Sequence, residues 1–281
     1  MLVISEKAAA RDWVMRQRVQ GRTVGLVPTM GALHAGHRAL AERAVERCDA
    51  AATTIFVNPT QFAPHEDLAR YPRTLEDDLR LLRQAGMNAV FVPDGEPIYG
   101  PDFSTYVLPP AVGETLEGEK RPEHFRGVTT VVTKLFHILP CTHAFFGQKD
   151  YQQARVLQQM TEDLDFGIEL ELVPTVREPD GLALSSRNRY LSPGDRDRAL
   201  GLSRALSAAR DAFAAGERQR ATLEALMQQR LFAAGVESVD YAVVVDRWQL
   251  RSHREADDDA IALIAAHVGS TRLIDNRFLG T

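Results

Sequence analysis

Two histidines in the string Pro28-Thr29-Met30-Gly31-Ala32-Leu33-His34-Ala35-Gly36-His37 stand three residues apart, between a short apolar run and an apolar-periodic segment. At a helix start this spacing turns both imidazoles the same way, and the glycines let a flat or anionic ligand come close to the backbone. The unpaired N–H groups and the positive end of the helix point to the same place, so the chemistry expected is phosphate binding. An exposed histidine pair and a metal-binding pair are the competing readings.

Two further segments carry cations where phosphates could sit. In Phe146-Gly147-Gln148-Lys149-Asp150-Tyr151-Gln152-Gln153, Lys149 is a compact ammonium beside a glycine turn, able to follow phosphoryl oxygens as charge shifts in a displacement. An exposed lysine paired with Asp150 is the alternative. It is one of four lysines (Lys7, Lys120, Lys134, Lys149) against 29 arginines. In the stretch from Val176 to Asn188, the hydroxyls and guanidinium of Leu184-Ser185-Ser186-Arg187 suit a triphosphate, and Gly181 permits a mobile loop. A flexible serine-rich linker is the alternative there. Gln61, in Ile55-Phe56-Val57-Asn58-Pro59-Thr60-Gln61-Phe62, offers a donor and an acceptor without charge, and a plain polar loop residue is its competitor.

The elements that must position these groups follow from periodicity. Thr23 to Val27 reads as a buried strand closed by Pro28, and Ala35 to Cys48 as a helix. Further strands are expected at Ala52 to Val57, Ala89 to Val92, Ala144 to Phe146 and Ile168 to Val173, with helices at Thr74 to Ala85 and Val128 to Leu139. Buried strands alternating with helices imply a parallel sheet covered on both faces. After Pro174 the pattern changes to two long helices, the first opened by Ser192-Pro193 and broken at Gly216, the second stopped by Gly235. Val239 to Asp246 alternates as a strand, and Ile261 to Val268 and Thr271 to Ile274 form a pair joined at Gly269-Ser270. Domains are therefore expected at 1–174 and 175–281.

Composition sets the outer bounds. A charge of −5 without a long basic tract gives little grip on a polyphosphate backbone, so nucleic acid is not expected as a partner. No apolar run is long enough to cross a bilayer, and Met1-Leu2-Val3-Ile4 passes at once into Ser5-Glu6-Lys7 rather than a leader core. A cytoplasmic protein with no membrane partner is expected. Cys48 and Cys141, distant and without metal-binding neighbours, read as two buried thiols.

The HxGH pattern resembles the nucleotidyltransferase-like α/β fold shared with class I tRNA synthetases. The full ten-residue string is similar to the pantothenate synthetase family, as are Arg70-Tyr71-Pro72-Arg73-Thr74 and His124-Phe125-Arg126-Gly127-Val128, and the resemblance runs over essentially the whole chain. It implies a Rossmann-like parallel sheet flanked by helices that binds nucleotide and pantoate, with a smaller α+β C-terminal domain as a lid. It implies ATP-dependent joining of pantoate to β-alanine through a pantoyl adenylate, with Mg²⁺ carried mainly by the ATP phosphates, and a homodimer.

By the same resemblance, Met30, Gly31, Ala32, Leu33, His34, Ala35, Gly36, His37, Gly147, Gln148, Lys149 and Asp150 bind ATP, with Val176, Leu184, Ser185, Ser186 and Arg187. The catalytic groups are His34, His37, Lys149, Ser186 and Arg187, while Gln61, Gln153, Asn58 and Arg126 meet substrate. The family usually has Glu at the position of Gln148, so no catalytic weight falls on that side chain. For Arg126 a surface ion pair is the alternative. Asp77 and Asp78 are read either as approaching Mg²⁺ or as a solvated helix face. A nucleotidylyltransferase of the same fold and a non-catalytic nucleotide sensor are the other functional readings, and a tRNA synthetase relative is disfavoured by the acidic balance.

Overall fold

Short apolar runs alternating with amphipathic segments leave backbone N–H and C=O groups that only a sheet can satisfy, and helices to cover it. In the computed structural model, which describes residues 1–63, 67–93 and 97–280, the chain divides into two compact units. The first is Met1–Gly147 with Gln152–Pro174, and the second is Gln148–Tyr151 with Thr175–Thr281.

The first unit contains β1 (Leu2–Ile4), α1 (Lys7–Val19), β2 (Val24–Thr29), α2 (Ala35–Arg47), β3 (Ala50–Ile55), α3 (Leu75–Gln84), β4 (Ala89–Phe91), α4 (Glu117–Lys120), α5 (His124–Ile138), β5 (His143–Gly147), most of α6 (Tyr151–Asp163) and β6 (Glu169–Val173). Six strands form one sheet in the order β1-β4-β3-β2-β5-β6, parallel throughout. The chain winds one way from β2 through β3 and the other way from β5 to β6, so strand order reverses between β2 and β5. Open α/β sheets bind ligands outside the strand ends at such a point.

Pro28, read as the end of a strand, stands inside β2 opposite Thr54. Beyond Leu26, β2 pairs only with β3, so the missing N–H of Pro28 breaks no ladder with β5. Met1-Leu2-Val3-Ile4, considered only as a possible leader, supplies edge strand β1, with Leu2 and Val3 exposed.

The second unit is built from α7 (Pro193–Ala214), α8 (Arg220–Ala233) and an antiparallel sheet of β7 (Ser238–Asp246), β8 (Ala260–Val268) and β9 (Thr271–Phe278). Ser192 caps α7 by accepting the Asp195 N–H at 3.1 Å, with Pro193 in the first turn. Leu202, Leu206, Ala209 and Phe213 pack with Leu223, Met227 and Leu231 over the sheet. The face of β7 that joins this core carries Ala242 and Val244, not Tyr241 and Val243. A register shift between Val239 and Tyr241 inserts one residue and turns the rest of the strand over. β8 and β9 meet in the expected two-residue turn, with Gly269 at φ +58°.

Candidate functional site

The histidine loop is held from below and capped from within. After β2 the backbone passes through two successive left-handed residues, Gly31 at φ +85° and Ala32 at φ +51°. Such a turn aims consecutive N–H groups at one point, and the group they meet is Asp78 of α3. Its carboxylate accepts the Ala32 N–H at 2.9 Å and the Leu33 N–H at 2.8 Å, and Thr74 Oγ1 adds a bond at 3.1 Å. Asp78 is 2% exposed, so neither reading made from the sequence describes it. Asp77 does lie on the solvated face, paired with Arg80 at 2.9 Å.

The two imidazoles form a reciprocal cap on α2. His34 Nδ1 accepts the Gly36 N–H at 3.1 Å, and His37 Nδ1 accepts the His34 N–H at 3.3 Å. Their ring centroids lie 4.1 Å apart. A neutral ring that accepts at Nδ1 carries its proton on Nε2, the atom that can donate to a phosphoryl oxygen. Among the described residues no third His, Cys, Asp or Glu completes a metal-binding group with this pair.

Asn58 and Gln61 belong to the same neighbourhood. Gln61 donates from Nε2 to Met30 Sδ at 3.4 Å and accepts from Asn58 Nδ2 at 2.9 Å, which ties it to the histidine loop. Its backbone carbonyl accepts from His124 Nδ1 at 3.0 Å. Asn58 is 1% exposed and commits its side chain within the protein: Oδ1 accepts from Tyr99 and Thr60, and Nδ2 donates to Gly127 O as well as to Gln61. It therefore positions Gln61. A Cβ on Gly127 would lie 2.3 Å from Thr60 O, so helix α5 can reach the Pro59–Gln61 turn only with glycine there. Its neighbour Arg126 pairs with Glu123 and lies 4.6 Å over the Tyr106 ring, which is the ion-pair alternative to a substrate contact.

Gln152 and Gln153, adjacent on α6, differ. Gln152 is buried, donating to Val112 O and Thr115 O and accepting from Glu117 N, whereas Gln153 is half-buried.

The remaining cations belong to the second unit. Lys149 Nζ stands 3.6 Å from Asp150, the pairing named as its alternative, with 19% of its side chain exposed. The serine–arginine loop closes a short hairpin: Leu184 N–H donates to Val176 O, and Glu178 N–H to Leu182 O. The turn is made at Gly181, φ +96°. Ser185 then caps the Ser186–Tyr190 turn by accepting the Arg187 N–H at 3.2 Å. Arg196 of α7 bridges Glu178 and Asp180. Desolvation opposes ionisation of Asp180, but the Leu182 amide and Arg196 outweigh it and hold its carboxyl below the usual range. Arg177 forks onto Asp275 of β9 at 2.7 and 2.8 Å.

The structure thus gathers Met30–His37 with Asn58 and Gln61 in one unit, and Lys149 with the serine–arginine loop in the other. The bracing role of Asp78 was not read from the sequence although a signal was present, since position 78 shares the helical stripe of Leu79 and Leu82, where an acidic residue is out of place.

A family model described as pantoate-beta-alanine ligase matches residues 2–278. A pantothenate synthetase of Rhodopirellula baltica is 52% identical over 274 residues, covering 96% of each chain. One of Moorella thermoacetica is 48% identical, covering 98% of each. The crystal structure of pantothenate synthetase from Thermus thermophilus superposes with a TM-score of 0.94 at 41% identity over the whole of both chains. The Francisella tularensis pantoate-beta-alanine ligase, solved with beta-gamma ATP and beta-alanine, gives 0.80 at 29% identity, covering 100% of this chain and 98% of that one.

Proposed function

This chain belongs to the pantoate–β-alanine ligase family, and from that premise we propose that it forms the C–N bond between pantoate and β-alanine, with cleavage of ATP to AMP and pyrophosphate. The observation that carries this is the capped pair His34 and His37 on a braced loop, in a chain that matches the family model over residues 2–278.

A carboxylate with a pKa of about 4 is ionised at neutral pH, so the first step needs alignment and charge neutralisation rather than a base. His34, His37, Lys149, Ser186 and Arg187 hold the phosphates, with the backbone of Met30 to His37, Gly147 to Asp150, Val176 and Leu184 to Arg187 around the nucleotide. Gln61 and Gln153 fix pantoate for in-line attack of its carboxylate on the α-phosphorus, and pyrophosphate leaves. The β-alanine amine then attacks the acyl carbon of the pantoyl adenylate, and AMP leaves. Because the mixed anhydride hydrolyses readily, we assign the C-terminal unit the role of a lid.

Mg²⁺ is expected to arrive on the ATP phosphates and supply charge neutralisation there. Asp77 and Asp78 do not fit as its protein ligands, since Asp78 is committed to the Ala32 and Leu33 amides and Asp77 is paired with Arg80. Among the described residues no helix is long and apolar enough to cross a membrane; a cytoplasmic location and a homodimer are parts of the proposal, the latter checked by light scattering.

The direct test is incubation of the pure protein with ATP, Mg²⁺, D-pantoate and β-alanine, with mass detection of products. Pantothenate and AMP in equal amounts are expected. A stable dinucleotide, or ATP binding without pyrophosphate release, would replace this reading with a nucleotidylyltransferase or a sensor. Lys149→Ala and His37→Ala should each lower pantoate-dependent ATP–pyrophosphate exchange by roughly a hundredfold or more. Near-normal exchange in both variants would remove their assigned roles.

A further inference from the structure

Lys149 follows the last strand residue of β5 by two positions, yet its backbone is fastened to β9. Asn276, 1% exposed, donates both amide hydrogens, to Gln148 O at 2.8 Å and Lys149 O at 2.9 Å. Its Oδ1 accepts from Gln148 Nε2 at 3.2 Å. Three of its hydrogen bonds thus end on two consecutive residues of one turn. Tyr151 anchors the far end of that turn, donating to Arg247 O at 2.9 Å and setting its ring edge-on to Phe278 at 5.5 Å.

The residue before Asn276 performs the matching task for the other loop. Asp275, 3% exposed, takes the guanidinium fork of Arg177 and also accepts the Asn276 N–H at 2.8 Å. Arg177 in turn donates to Gly181 O at 3.1 Å, inside the hairpin that carries Ser185 to Arg187. Neighbouring residues of a strand face opposite ways, so one step along β9 can hold two loops that approach from different sides.

We infer that Asn276 is a positioning residue for Lys149, and that the Asp275-Asn276 step fixes Lys149 and the serine–arginine loop to each other within the second unit. The ammonium is then presented by β9 rather than by the strand it follows. This rests on the role given to Lys149 above. A primary amide suits the task because it donates twice without adding charge beside the ammonium, whereas a carboxylate there would face two carbonyl oxygens with no hydrogen to offer.

The test is a double-mutant cycle on pantoate-dependent ATP–pyrophosphate exchange. Asn276→Ala should lower the rate about tenfold or more while the KM for pantoate stays within about twofold, because Gln61 and Gln153 are untouched. In a Lys149→Ala background, adding Asn276→Ala should cost less than about twofold, since a residue that acts through Lys149 has nothing left to position. The same factor in both backgrounds, or a wild-type rate in Asn276→Ala, would overturn the inference. If Asn276→Ala does not fold, Asn276→Ser, which leaves a single donor, runs the same cycle. An inactive wild-type protein, or an unimpaired Lys149→Ala, would count instead against the functional reading on which the inference stands.

Discussion

The loop of His34 and His37 and the turn of Lys149 are both held by a buried side chain reaching two consecutive backbone groups, but with inverted polarity. Asp78 accepts two N–H groups, and Asn276 donates to two C=O groups. The inversion follows from what each backbone offers. A left-handed turn entering a helix presents N–H groups, and a charged acceptor binds them more strongly than a neutral one. The turn after β5 presents carbonyls, and a neutral amide satisfies them without adding a charge beside the ammonium. The carboxylate nearest to Asn276, that of Asp275, is already matched by the Arg177 fork. Negative charge is thus kept behind the histidine loop and neutralised behind the lysine turn.

Asp78→Ala should have the largest effect. It leaves two amides without their buried acceptor beside a strained Ala32, so stability measured by urea unfolding should fall by about 3 kcal/mol. Displacement of the imidazoles should lower ATP–pyrophosphate exchange about a hundredfold in the protein that remains folded. An unchanged rate would mean that the loop needs no brace. Gly127→Ala comes next. Its Cβ would press on the Thr60 carbonyl carbon and oxygen at 2.5 and 2.3 Å, so α5 must move from the Pro59–Gln61 turn. A loss of about 2 kcal/mol is expected, and steady-state kinetics should show the KM for pantoate rising about tenfold with the KM for ATP little altered. Ser192→Ala is the smallest, a lost helix cap costing about 1 kcal/mol in thermal or urea unfolding with the turnover rate unchanged. A fall in turnover from that substitution would show that the two loops are sensitive to α7 in a way their braces do not explain.

Much of this was legible in the sequence, because the strongest signals are local. The strand, loop, helix entry at His34, the Ser192-Pro193 start of α7 and the Gly269-Ser270 hairpin each rest on neighbouring residues, and each stands where expected. Features that depend on a distant partner were not. Pro28 reads as a strand end until it is known that β2 continues there against β3 alone, beyond its pairing with β5. The alternation in β7 marks a strand but not the one inserted residue near Val239 that changes its register against β8. Asp78 lies 46 residues from Ala32, and Asn276 lies 127 residues from Lys149, so neither spacing announces a contact. Asn58 shows the same limit from the other side: its motif marks it as important, and only burial shows that it supports Gln61.

The decisive experiment is a crystal structure with a non-hydrolysable ATP analogue and pantoate bound. His34, His37, Lys149, Ser186 and Arg187 should all lie within hydrogen-bonding distance of a single triphosphate, with Gln61 and Gln153 on the pantoate. A complex in which Lys149 and Arg187 point into a different cavity from the two imidazoles would contradict it.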